Sequence, residues 1–160
     1  ECTDFRGQAV RTVQMANLGD VGRAWLVSRI PLIAVDPHIM RTLPPKLQLF
    51  FYFHECAHHV LAHSYALVST MESDADCWAI KTGRERALFT RDEVVNFAPW
   101  LMKSTGARAG FIPAKRLPAR DADRTRVCVA RDLTSKPEFP STEATSPERS
   151  RHLVSCFDEP

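Results

Sequence analysis

From Lys46 to Ser64 the chain runs without a glycine or a proline, and this stretch constrains the fold more than any other. Thr42-Leu43-Pro44-Pro45 halts the segment before it and supplies proline where a helix can begin, since the first helical residues need no backbone donor. One long helix is therefore predicted over 46–64. Phe50, Phe51, Tyr52 and Phe53 crowd its first half, and that much aromatic surface must be buried against other elements. A chain of 160 residues that is 44% hydrophobic and 25% charged fits one domain with a modest core, with this helix at its centre.

Other elements are placed around it. Ala24 to Val35 is rich in β-branched and apolar residues and stops at Asp36-Pro37, which predicts a strand, and Pro31 assigns it to a sheet edge. Met71 to Thr82 reads as a second helix ended by Gly83. Thr90 with Glu93 forms a capping box that opens a third, running to about Lys103. From Gly106 to Pro147, Pro113, Pro118, Pro137 and Pro140 lie among charges and hydroxyls, and only Val127 to Ala130 looks strand-like. Glu148 to Phe157 can close the fold as a short helix with Leu153, Val154 and Phe157 inward. The expected class is α+β, with a core over 1–105 and an irregular C-terminal wrap over 106–160 belonging to the same domain.

Composition narrows the functions. The longest apolar run without a charge, Leu47 to Phe53, falls far short of the roughly 20 residues of a transmembrane helix. A net charge of +2, spread without a dense basic run, argues against a nucleic-acid partner. The five cysteines form no CxxC pair, which excludes a cysteine zinc ribbon or a thioredoxin-type site. Cys56 and Cys77 read as small buried thiols, and a Cys128–Cys156 bridge could staple the tail to the closing helix in an oxidising compartment. The first residue is Glu1 and not Met, from which a removed secretory signal and an exported protein are expected, a cytoplasmic one being the alternative.

Chemistry concentrates in Phe53-His54-Glu55-Cys56-Ala57-His58-His59, which contains H-E-x-x-H inside the predicted helix. At helical pitch His54 and His58 stand about 40° apart around the axis and one turn along it, so both imidazoles can reach one ion. Glu55, about 100° from His54, stands beside that ion without ligating it, where it can serve as a base. Catalytic zinc takes three protein ligands and keeps a position for water. His63 would point away from His54 on the same helix and could ligate only if the helix ended before it. Glu72 is better placed, because a short loop at Ser69-Thr70 would return the second helix antiparallel to the first, with Glu72 and Asp76 one turn apart on one face. Asp76 can then accept the other N–H of a ligating imidazole.

The pair His54-Glu55-Cys56-Ala57-His58-His59 and Glu72-Ser73-Asp74-Ala75-Asp76-Cys77-Trp78-Ala79 resembles the gluzincin zinc metallopeptidases, whose pattern is H-E-x-x-H followed by E-x-x-x-D. It is most similar to small bacterial members, among them the neutral zinc metallopeptidases and minimal single-domain gluzincins, over roughly residues 24 to 83. The resemblance implies a zincin-like domain with an active-site helix, a glutamate helix and a small mixed sheet. It implies one catalytic Zn²⁺ on His54, His58 and Glu72, Glu55 as general base and acid, Asp76 as the imidazole's partner, and hydrolysis of a peptide or protein substrate. Arg29 to Val35 would be the edge strand that binds an extended substrate by β-augmentation.

A metzincin would need Gly at 61 and His at 64, where this chain has Leu61 and Ser64. The Ser/Thr-His-Pro element of related chains is also missing, the comparable stretch being Ser141 to Pro147, so oxyanion stabilisation needs another donor. Arg149 is favoured by motif position over His152, Tyr65 and His59. Two other functions fit the same residues: a catalytically idle zinc-binding interaction module, and a zinc hydrolase of a nonpeptide amide.

Overall fold

The computed structural model describes residues 1–66, 69–104, 125–127 and 146–160. Its elements run β1 (Arg11–Gln14), β2 (Gly22–Val27), β3 (Ile30–Val35), α1 (Pro37–Met40), α2 (Pro45–Val60), α3 (Met71–Glu85), α4 (Arg91–Val95), α5 (Ala98–Ser104), β4 (Thr125–Val127) and α6 (Ser146–Asp158). The class is α+β, as expected. The single strand predicted over Ala24 to Val35 is instead a hairpin, β2 and β3 joined at Ser28-Arg29, whose φ angles of 50° and 68° are the two positive values of a type I′ turn. Neither residue is the Asn or Gly that would have announced the turn.

Sheet order is β1-β3-β2-β4, with β1 parallel to β3 and the other pairings antiparallel. Strand β3 is therefore interior, which corrects its assignment to an edge. Pro31 is tolerated there for a local reason. A two-residue turn closes on a hydrogen-bonded pair, Val27–Ile30, so the next pair, Leu26–Pro31, is a non-hydrogen-bonded one and the absent N–H faces away from β2. On that side β1 begins pairing only at Leu32.

The inner face of the sheet lies on α2, Ile33 packing in a cluster with Cys2, Val10 and Cys56. The larger core joins α2 to the remaining helices through Leu47, Phe50, Phe53, Ile80, Phe89, Phe97, Leu101 and Leu153. The aromatic run of α2 is thus buried as predicted, with Tyr52 only partly covered. The Thr90–Glu93 capping box opens α4, but the predicted third helix divides into α4 and α5 around Asn96-Phe97. The closing helix packs on α3, α4 and α5.

Two helix ends differ from their sequence signals. Helix α2 stops at Val60, where Ala62 takes φ 58°, the Ala62 amide donates to His59 O and the His63 amide to His58 O, a Schellman motif without glycine. Helix α3 does the same at Ala87, φ 53°, with amide bonds from Ala87 to Arg84 O and from Leu88 to Gly83 O. Gly83 is therefore inside the helix, where its bare Cα admits the Phe89 ring.

Disulfides join Cys2 to Cys56 and Cys77 to Cys156. Cys156 thus pairs with Cys77 and not with Cys128, because α6 lies along α3 and brings the two Cα atoms to 5.1 Å. Cys128, Ala130 and Ser141 to Thr145 lie outside the described residues. No helix among the described residues is long and apolar enough to cross a membrane.

Candidate metal centre

Helices α2 and α3 pack antiparallel: His58 meets Glu72, His54 meets Glu72 and Asp76, and Lys46 at the far end of α2 reaches Leu88 O beyond α3. The structure thereby brings His54, His58 and Glu72 together, as the spacing predicted. His54 Nε2 and His58 Nε2 are 3.2 Å apart, and Glu72 offers Oε2 at 3.2 Å from the first and Oε1 at 3.7 Å from the second. Tetrahedral ligands at about 2.0–2.1 Å from an ion would stand roughly 3.3 Å from one another. The donor chemistry and the separations both fit a small divalent cation.

The rings are held from behind. His54 Nδ1 donates to Asp76 Oδ1 at 2.8 Å, and Asp76 in turn accepts from Arg149 Nε and Nη2, both at 2.7 Å. His58 Nδ1 lies 2.9 Å from His63 Nδ1. Both Nε2 atoms are thus free to face Glu72.

Charge agrees with geometry. Burial alone would pull the His54 imidazole down, but its hydrogen bonds with Asp76 and Glu72 outweigh that and raise it to about 10. Burial and the neighbouring His54 charge drive His58 down to about 3. Burial raises Asp76 and Glu72, yet Arg149 and His54 for the one, and His54 for the other, hold both well below the usual carboxylate range. Asp76 is matched by the Arg149 guanidinium and ionised Glu72 by the cationic His54 ring, so the carboxylate this group can offer a cation is that of Glu72.

Glu55 sits beside this group on the sheet side of α2. Burial lifts its carboxyl to about 7, in the range where a group can both take and return a proton near neutrality. Gly22 gives this side chain room, since a Cβ there would crowd Glu55 Cγ at 3.0 Å. Hydrogen bonding to the Ala24 backbone opposes the upward shift. By the alternation set at the hairpin turn, the Ala24 amide points away from β3 toward the outer edge of β2, on the side where the described residues of β4 pair with Trp25 to Val27.

Arg149 spends Nε and Nη2 on Asp76. Of the other donors, His59 bonds to Leu32 O on the sheet side, His152 to Ser73 O, and half-exposed Tyr65 meets Phe5 edge to face under the Arg6 guanidinium. Two contacts escaped the sequence reading. Arg149 meeting Asp76 depends on where α6 docks, and His63 meeting His58 depends on a helix stop at an alanine.

No protein family matches this chain, and neither curated proteins nor solved structures yield a match.

Proposed function

We propose that this chain is a zinc-dependent metallopeptidase. The observation that carries the reading is the triangle of His54 Nε2, His58 Nε2 and Glu72 carboxylate at near-tetrahedral separations, with the buried Glu55 carboxyl beside it. His54, His58 and Glu72 would hold one Zn²⁺. When bound, the ion supplies a Lewis acid and lowers the pKa of water.

The remaining work falls to the chain's own groups. Glu55 accepts a proton from the attacking water at its carboxylate and returns it to the leaving amine, a shuttle suited to a carboxyl near neutrality. Asp76 keeps His54 in the Nδ1–H tautomer, and Arg149 keeps Asp76 ionised. In this reading Arg149 reaches the transition state chiefly through Asp76. Among the described residues, the outer edge of β2 at Gly22–Ala24, and not the interior strand at Arg29–Val35, is the backbone beside Glu55 along which an extended peptide would align. Two disulfides, each with one cysteine neighbouring a site residue, support an exported protein.

The test is metal content after dialysis, wild type beside His58→Ala and Glu72→Ala, followed by a peptide-library search. About one zinc per chain, lost or weakened in both variants, together with cleavage of an extended peptide, is expected. Zinc without turnover of any peptide would favour an interaction module or a nonpeptide substrate. Failure of the wild type to take up zinc on reconstitution would remove the reading.

A further inference from the structure

We propose that His63 is a positioning residue for His58, acting as a neutral ring that carries its proton on Nε2 and accepts the Nδ1–H of His58 at its own Nδ1. The inference rests on the reading of His58 as a metal ligand.

Local structure places the ring. Continued as a helix, 61–63 would carry His63 to the far side of the axis from His54. The Schellman turn at Ala62 reverses the chain and tucks His63 over the last turn of α2, where it is buried with Nδ1 at 2.9 Å from His58 Nδ1.

Proton accounting then fixes the roles. Two Nδ1 atoms at this distance share one hydrogen. If His63 donated it, a neutral His58 would keep its own proton on Nε2 and have no lone pair facing Glu72. If His58 donates, its Nε2 lone pair is free for an ion, and His63 must hold its proton on Nε2. The His63 ring that carries that second N–H lines a surface cavity of about 490 Å³ with Leu61, Ala66, Asp74 and Trp78, with room for a water partner.

The two ligand rings are therefore supported unequally. Behind His54 stands an anion clamped by a guanidinium, and behind His58 a neutral imidazole. Both fix ring orientation, but only the first adds charge.

Zinc competition against a chromophoric chelator, with wild type, His63→Ala and His63→Asn, tests this together with long-range proton–nitrogen spectra of the zinc-loaded wild type. His63→Ala should bind zinc about 10–100-fold more weakly, and His63→Asn, whose Oδ1 can take the place of Nδ1, should recover most of the loss. The spectra should show His58 protonated on Nδ1 and His63 on Nε2, a readout that needs no variant to fold. A zinc-loaded wild type with His63 protonated on Nδ1, or a His63→Ala chain that binds as tightly as wild type, overturns the inference and leaves the metal site standing. A wild type that binds no zinc overturns the metal site itself.

Discussion

Replacing Gly83 by alanine should destabilise the protein, against the rule that alanine improves a helix. Gly83 lies inside α3 with no positive φ, so propensity alone predicts a gain of about 1 kcal/mol. A Cβ there would instead overlap Cδ2 and Cε2 of Phe89 and lie 2.8 Å from its Cγ. Phe89 is 3% exposed and cannot step aside freely, because its ring sits 6.2 Å from Phe53 and 5.7 Å from Phe97, edge to face with both. Overpacking a core costs about 1–3 kcal/mol, and losing a buried Phe about 3–5. With the helical gain subtracted, a net loss of up to about 4 kcal/mol follows. Urea denaturation with the disulfides intact measures it. In a Phe89→Ala background the obstacle is gone, and Gly83→Ala should become stabilising by up to about 1 kcal/mol. Equal or greater stability of the single variant, or an unchanged sign in the Phe89→Ala background, would refute the steric account.

Ala87→Gly, two residues beyond the end of α3, should stabilise by about 0.5–1 kcal/mol, since Ala87 holds φ 53°; a loss in the same denaturation experiment would count against the left-handed end. Glu55→Gln should keep its zinc by elemental analysis and lose about 10²–10⁴-fold in peptide hydrolysis, whereas stoichiometric zinc loss would make Glu55 a ligand. Arg149→Met leaves the Asp76 carboxylate, whose side chain is 3% exposed, with His54 but without its guanidinium; with Arg149 itself 27% exposed, a cost of about 1–3 kcal/mol is expected in metal-free denaturation, and no cost would make the pair dispensable. Burial raises Asp4, but the Arg6 guanidinium and the Gln8 and Arg6 amides outweigh it and lower its pKa below the unfolded value. Its stabilisation is present above about pH 4 and fades as pH falls through the folded value, so the stability difference between wild type and Asp4→Asn should be flat from about pH 5 to 8 and shrink in acid. A difference that stays constant into strong acid would contradict this.

How much of this was legible depends on whether the signal was local. The Pro44-Pro45 start of α2, the one-turn spacing of His54 and His58 and the Thr90–Glu93 box rest on helical pitch and on side chains reaching backbone three residues away. Turns were the weak point. Ser28-Arg29, Ala62 and Ala87 all take left-handed backbone without the glycine or asparagine that would mark it, so the local sequence of the hairpin looks like one strand and neither helix end carries its usual signal. Gly83, the expected stop, is glycine because of a ring packed against it from outside the helix.

The sequence by itself determined which side chains could share one face: His54 and His58 on one helix with Glu55 beside them, Glu72 and Asp76 on another, since periodicity follows from the chain's own geometry. Which faces meet was a tertiary decision. The docking of α6 put Arg149 on Asp76 and Cys156 on Cys77, and sheet order placed Gly22 and Ala24 beside Glu55 while burying β3 between two strands. Those contacts join residues as much as 79 positions apart, and what selects them is the burial of apolar faces common to several elements, a quantity no short stretch of sequence carries.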